Sequence, residues 1–430
     1  MKEHVEKINN VALVIICCMF ISCVAYALVS TSMLKEVLIT YHYYDDYTYY
    51  NTIVDTKKQF SECDYRDYYS PAPPLYYNVA HLASEIVGMD AQRLRWMNVV
   101  ISLLMMFALF LTLRRSNLTS AQNLEKAIIF SLSPYIFGGF FILINDNLAN
   151  FLLYISIWMA LIASDDKGMK GNILIVGSAI AAGLTILTRQ NYIWIYPVLV
   201  CIYWVRGRER QDVVLAVISL VITAFPLLYL FYIWKGMVPP SHQYHHQAMW
   251  PNIAGITLAL SLLAFYGIVL YGQLCLNKLK LGSVYGWKTI IGGKNILHYV
   301  VSVIVVTSLI AVEPLHRINL GTDGYFMNVM SKLPSVAGTP LPIWALSIVG
   351  GWIITKWILD KNYLPLSIIV FFIISATFMK QNFQKYYDYA ILSTIMIDST
   401  VNSRRIGIIG LFGMLFISVA YFLYVANSGG

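Results

Sequence analysis

Charge is what this sequence has least of: Asp, Glu, Lys and Arg make up 12% of its 430 residues, while 58% are hydrophobic. So sparse a polar surface excludes a water-soluble globule of ordinary composition and leaves a multi-pass membrane protein. Cysteine is scarce as well, and five of the six (Cys17, Cys18, Cys23, Cys201, Cys275) lie in hydrophobic segments, with Cys63 alone in a polar loop. That placement excludes an intramolecular disulfide framework and a zinc pattern. No Pro/Ser-rich linker marks off a soluble domain, so one integral domain over 1–430 is expected. No internal repeat is evident either, which argues against a transporter built from duplicated halves. The net charge of +8 makes no nucleic-acid surface, because the basic residues are scattered between hydrophobic runs.

What the chain does have is long apolar runs. Val11–Val29, Val213–Leu230 and Ile406–Val425 approach or reach the ~20 residues needed to cross a bilayer. The first lacks a small-x-small cleavage site before Lys35, so it is expected to be retained. The pattern predicts an all-α, polytopic transmembrane protein of about thirteen spans: 11–31, 96–113, 127–144, 148–163, 172–187, 192–205, 213–233, 253–275, 297–312, 343–358, 364–379, 388–399 and 406–426. With the N-terminus in the cytoplasm, that side receives 18 of the 30 Lys and Arg and 9 of the 22 acids, so it carries +9 and the opposite side −1. Paired arginines in short loops all fall on that same side, which fixes the expected orientation.

The polar clusters that do not read as anchors then emerge on the extracytoplasmic side. They are "HYYDDYTYY" within a long 32–95 loop, "NDN" at Asn145 to Asn147, "TRQN" at Thr188 to Asn191, "SHQYHHQ" at Ser241 to Gln247, "EPLHR" at Glu313 to Arg317 and "KQNFQKYYDY" at Lys380 to Tyr389. Within the first loop, "YNTIVDTKKQF" and "LYYNVAHLASEIV" mix apolar and polar residues at helical spacing and predict short interfacial helices. Tyrosines near a membrane are ordinarily belt residues at headgroup depth.

Asp45 and Asp46 are the candidate acid–base residues. Adjacent carboxylates repel, and partial burial among tyrosines adds desolvation; both effects raise the pKa of one of them toward what a general base needs. Neighbours on a helix point about 100° apart, so at most one can face a cavity. Candidate cations stand at separate helix ends. Arg189 interrupts a nearly continuous apolar stretch, an expensive position unless it lines a polar cavity. Lys380, Lys385, His245, His246 and Arg317 complete a set suited to a phosphate leaving group. Snorkelling explains Lys385 equally well. "HQYHH" has no carboxylate near it in sequence to complete a ligand set, so no metal is expected. Asp146, an acid in a tight turn, is either a cavity lining or a turn residue.

In order along the chain, these elements resemble the GT-C superfamily of polyprenyl-phosphate-sugar glycosyltransferases, most closely the dolichyl-phosphate-glucose α-1,2-glucosyltransferases. "YYDD", Tyr43 to Asp46, stands where that family has an aromatic followed by Met-Asp-Glu, with Asp45 on the Asp. "APPLYY", Ala72 to Tyr77, resembles Thr-Pro-Pro-Gly-Leu-Tyr, and "IND", Ile144 to Asp146, resembles Tyr-Thr-Asp. "RQNYIW", Arg189 to Trp194, resembles Arg-Gln-Thr-Asn-Ile-x-Trp, and "KYY", Lys385 to Tyr387, resembles Arg-Tyr-Tyr. The family's His shortly after Met-Asp-Glu is Tyr49 here, and its Gly-Asp-Lys before the histidine loop is missing.

The resemblance implies an inverting glycosyltransferase without a cofactor, moving a sugar, glucose in the family, from a polyprenyl or dolichyl phosphate to a glycan or lipid-linked acceptor. Asp45 would deprotonate the acceptor hydroxyl, while Arg189, Lys380, His245 or His246, Arg317 and Lys385 would stabilise the departing phosphate. Tyr43, Tyr44, Tyr76, Asp146, Gln190, Asn191, Trp194 and Tyr386 would line the substrate pocket. The expected partners are the lipid-linked donor, the acceptor and membrane lipid, with no nucleic acid. The expected address is the ER membrane in a eukaryote and otherwise the bacterial or archaeal cytoplasmic membrane. The rival readings are a transporter or flippase for an anionic or lipid-linked substrate, which needs charged or broken-helix sites within the bilayer, and a membrane scaffold.

Overall fold

The computed structural model describes residues 46–115, 119–243, 252–280, 296–312, 325–336, 338–379, 384–398 and 407–428. It is an all-α polytopic membrane protein, and the only strands among the described residues are the two-residue pair Ser335–Val336 and Thr339–Pro340. Six described helices are long and apolar enough to cross a membrane: Ala91–Leu113, Asp146–Asp165, Met169–Thr188, Arg210–Trp234, Ala254–Tyr271 and Leu341–Leu359. The chain divides into two compact units, Met1–Tyr244 with Ile417–Gly430, and His245–Phe416. The predicted first span lies outside the described residues.

Among the described residues, the first unit opens with helical residues 46–55 (α1) and the short α2 (Lys57–Glu62), followed by α3 (Leu75–Val87). These occupy the two loop segments predicted to be helical. The long α4 (Ala91–Leu113) starts where Asp90 accepts the amides of Gln92 and Arg93 at 3.0 and 3.2 Å, an N-cap that satisfies two otherwise orphaned donors. Helix α5 (Ser120–Ser131) opens on a capping box between Thr119 and Gln122. After a turn, α6 (Pro134–Gly139) leads to α7 (Asp146–Asp165), which forms an antiparallel pair with α8 (Met169–Thr188). A 3-10 turn (Gln190–Trp194), α9 (Ile195–Val205) and α10 (Arg210–Trp234) complete the bundle. Helices α8 and α10 approach closely at Gly183, where an added Cβ would lie 2.7 Å from that of Thr223.

The predicted span 127–144 is not one helix. Pro134 supplies no N–H to a continuing ladder, so the helix ends at Ser131 and the chain re-enters as the short α6 and an irregular stretch from Phe140 to Asn145. Phe140 through Asn145 are nonetheless buried. Non-helical backbone buried in a membrane protein must find partners inside the protein, and here side chains provide them. Asn98 Nδ2 donates to the carbonyls of Gly139 and Ile142 at 2.8 and 2.6 Å, and Asn147 Nδ2 also donates to Gly139 at 2.8 Å. The amide of Leu143 donates to Asp46 Oδ1 at 2.7 Å. Hydropathy reads this segment as a span because its side chains are apolar; the break lies in the backbone.

The opposite end of this unit is basic. Arg115 and Arg206 share Asp165, and Arg208 donates to the Asp166 carbonyl at 2.7 Å and to Asn172 Oδ1 at 2.8 Å.

In the second unit, α11 (Ala254–Lys280) packs on α14 (Leu341–Leu359), with α12 (Ile296–Val312), α13 (Tyr325–Met330), α15 (Tyr363–Ala376) and α16 (Gln384–Ile397) around them. Gly350 allows the central contact, since a Cβ there would stand 2.1 Å from the Leu260 carbonyl oxygen. The last helix, α17 (Gly407–Ser428), returns its C-terminal part to the first unit, where Tyr421 packs on Tyr135 at 5.5 Å.

Candidate functional site

Within the first unit, the loop helices, the re-entrant stretch and the facing ends of α7 and α8 meet in one polar cluster. Asp146 sits in the first turn of α7 and Arg189 just past the last turn of α8. An acid at a helix N-terminus and a base at a C-terminus both complement the helix dipoles, and because the two helices run antiparallel these residues come together. They form a buried ion pair, with Arg189 8% and Asp146 1% exposed. Arg189 Nη1 also donates to Asn145 Oδ1 at 2.9 Å, and Asn145 Nδ2 donates to the Thr188 carbonyl at 3.1 Å.

Asn145 ties this pair to the first loop. Its Oδ1 accepts the hydroxyl of Tyr49, on α1, at 2.7 Å. On the same helix, Asp46 is 2% exposed and bound by Arg95 of α4, whose Nε lies 3.2 and 3.3 Å from the two carboxylate oxygens. Further along, Gln190 Nε2 donates to the Pro71 carbonyl at 2.7 Å, fastening the "RQN" turn to the segment before α3. Thus four of the sequence clusters, around Asp46, Pro71, Asn145 and Arg189, converge although they are far apart in the chain.

The loop tyrosines form a core of their own. Tyr68 stacks on Trp234 at 5.9 Å and 6°, Tyr49 stacks on Tyr77 at 5.8 Å and 14°, and Tyr76 meets Tyr49 edge-on at 5.8 Å. Trp234 Nε1 donates to the Tyr65 carbonyl at 2.8 Å. Burial first, then Tyr77 and Asp46, pushes the Tyr76 hydroxyl well above the usual tyrosine range. Tyr76 is 0% and Trp194 3% exposed, so neither ring presents a face to a ligand in this conformation. Both rings, expected to line a substrate pocket, are packed against neighbouring side chains here. Tyrosine is abundant here because a loop that must bury itself needs large rings that also carry a polar handle.

On α3, His81 is buried against Phe60 at 5.4 Å, with Nε2 3.2 Å from Thr56 Oγ1. The Thr56 hydroxyl donates to the Thr52 carbonyl at 2.6 Å, which leaves Nε2–H of His81 as the donor and Nδ1 as a buried lone pair with no hydrogen-bond partner. Burial first, then Lys57, lowers the His81 pKa, with Glu85 opposing.

Of the remaining predicted residues, Asn191 belongs to the 3-10 turn beside Arg189 and is partly buried. Lys385 and Tyr386 belong to the second unit, where Lys385 Nζ lies 5.6 Å from the Tyr386 ring. Tyr43, Tyr44, Asp45, His245, His246, Arg317 and Lys380 lie outside the described residues. Among the described residues there is no group of three or more His, Cys, Asp or Glu that could hold a metal ion.

Sequence reasoning missed Arg95, Asn98 and Asn145 as site-forming residues, and Asp388 in the second unit. Asp388 is 0% exposed and accepts from the Tyr266 hydroxyl at 2.7 Å and Gln384 Nε2 at 3.3 Å. Polar residues inside apolar runs are the signal that could have found them.

The chain is thus a polytopic helical membrane protein whose first loop is joined to two helix ends through buried charge. Residues 71–234 match the family model described as dolichyl-phosphate-mannose-protein mannosyltransferase, a segment that contains Asn145, Asp146 and Arg189. Among solved structures, the chain is similar to the crystal structure of ArnT from Cupriavidus metallidurans in the apo state, at 13% identity over 82% of this chain and 73% of that one, with a TM-score of 0.36. No curated protein matches.

Proposed function

We propose that this protein is a GT-C-type glycosyltransferase that moves a sugar from a polyprenyl phosphate to a glycan or lipid-linked acceptor on the extracytoplasmic side of the membrane. The observation that carries the reading is the convergence of the acidic first loop with the Arg189 helix end through Asn145. The mannosyltransferase family model over 71–234 supports it, because that segment includes three of the four converging clusters.

The two adjacent acids have separate roles in this reading. Asp46 already uses its carboxylate on Arg95 and the Leu143 amide, so it anchors the loop. Asp45 is assigned as the general base that takes the acceptor hydroxyl proton while the hydroxyl attacks the anomeric carbon opposite the phosphate. The leaving group is a phosphate monoester whose developing charge needs fixed cations. Arg189, of the first unit, is assigned to it. The candidate sugars are glucose, by resemblance, and mannose, by the matched family model.

Full-length protein in lipid nanodiscs, given a panel of radiolabelled polyprenyl-phosphate hexoses and a lipid-linked acceptor, should transfer at least one hexose, and Arg189→Lys should reduce the rate at least about tenfold. No transfer from any donor would reject the reading.

A transporter remains the second reading, on two observations: the helix break between Ser131 and Asp146, and the buried Asp388 of the second unit. Broken helices and intramembrane acids are what such a protein needs. Donor-dependent movement of the lipid headgroup without sugar transfer would favour it.

A further inference from the structure

Asn145 bonds both the loop and Arg189, and its geometry leaves little freedom. Its amide nitrogen is committed to the Thr188 carbonyl at 3.1 Å, which fixes the direction of Oδ1. That oxygen then takes two donors at once, the Tyr49 hydroxyl at 2.7 Å and Arg189 Nη1 at 2.9 Å. A carbonyl oxygen has two lone pairs, so both are used. Asn145 is 0% exposed, and a buried amide with its bonds made holds its partners more firmly than one competing with water.

Arg189 also bonds Asp146. An ion pair alone would let a guanidinium pivot about the carboxylate, whereas a second acceptor for the same Nη1 sets its rotation. The position of that second acceptor is tied in turn to α1, the loop helix that carries Asp46 and Tyr49. We infer that Asn145 and Tyr49 are positioning residues: through Nη1 they set the orientation in which Arg189 meets the phosphate of the donor, so that loop placement and cation placement are one structural variable. The inference rests on the glycosyltransferase reading above and adds to it which residues aim the phosphate-binding cation.

The test uses full-length protein in nanodiscs and undecaprenyl monophosphate as the probe, with inorganic phosphate as a control for non-specific anion binding. Asn145→Leu removes both acceptor functions but risks misfolding, so Tyr49→Phe, which deletes a single hydroxyl and keeps the stacked ring, is the main variant. Loss of a hydrogen bond that orients a charged group should weaken probe binding about tenfold in Tyr49→Phe. The distinguishing readout is the same substitution in an Arg189→Lys background, where Nη1 no longer exists. A residue acting through Arg189 should there cost less than about twofold, whereas one that merely supports the fold should cost as much as before. Equal losses in the two backgrounds, or no loss in Tyr49→Phe, would overturn the inference and leave the glycosyltransferase reading standing. Failure of the wild-type protein to bind the probe in preference to inorganic phosphate would overturn both.

Discussion

The buried Asp46 pairs with the partly buried Arg95 across 49 residues of sequence, and the same carboxylate takes the Leu143 amide of the re-entrant stretch at 2.7 Å. One acid thereby joins the loop helix α1, the N-terminal part of α4 and a segment of broken backbone.

Removing Arg95 leaves the buried Asp46 carboxylate without its cation but still on the Leu143 amide, at a cost of about 1–3 kcal/mol. Arg95→Leu should therefore lower the melting temperature and yield of purified protein. Asp46→Asn should do so as well, by less, since an amide can still accept from Leu143. Melting within a degree of wild type for Arg95→Leu would show that the pair is dispensable.

The loop should loosen in acid because of His81. Its pKa is lowered in the folded state, so the unfolded chain binds the extra proton first; stability is fully present above about pH 6.5 and is lost as pH falls through that value toward the folded pKa. Lys57 opposes the imidazolium and Glu85 favours it. Limited proteolysis of the first loop should accelerate between pH 7.5 and 5.5, and His81→Gln should flatten that dependence. An unchanged pH profile in the variant would assign the effect elsewhere.

Packing in the second unit depends on Gly350. A methyl group placed 2.1 Å from the Leu260 carbonyl oxygen must push α11 from α14, because the obstacle is backbone. Gly350→Ala should cost about 1–3 kcal/mol, read as reduced thermal stability in detergent. Stability equal to wild type would mean that the two helices separate at no cost.

Much of this architecture was legible in the residues because a bilayer demands long apolar helices, and Val213–Trp234 or Ala254–Tyr271 can hardly be read otherwise. The helical character of the two loop segments was equally plain from their spacing, although the first is divided at Thr56 into α1 and α2. The break after Ser131 was hidden, since Phe140, Phe141, Ile142, Leu143 and Ile144 are apolar while the atoms that end the helix are backbone ones. Arg189 and Asp146 stood out as charges at helix ends, yet their pairing needs the antiparallel fold of α7 on α8. Tyr49 looked like a departure from a family pattern, and its meaning appears only when its hydroxyl is seen on Asn145. Tyr76 and Trp194 show why aromatics are hard to assign from sequence: a ring suited to a sugar face is equally suited to a core, and both are buried here.

The division of labour between the two adjacent acids is the point on which the account turns, and sugar transfer by paired variants measures it. With a polyprenyl-phosphate hexose as donor, Asp45→Asn should fold with wild-type melting and lose transfer by at least about a hundredfold, the lower end of what a general base contributes. Asp46→Asn should lose stability first and retain transfer in the fraction that folds. Full transfer by Asp45→Asn, or a stable Asp46→Asn protein devoid of it, would contradict the assignment.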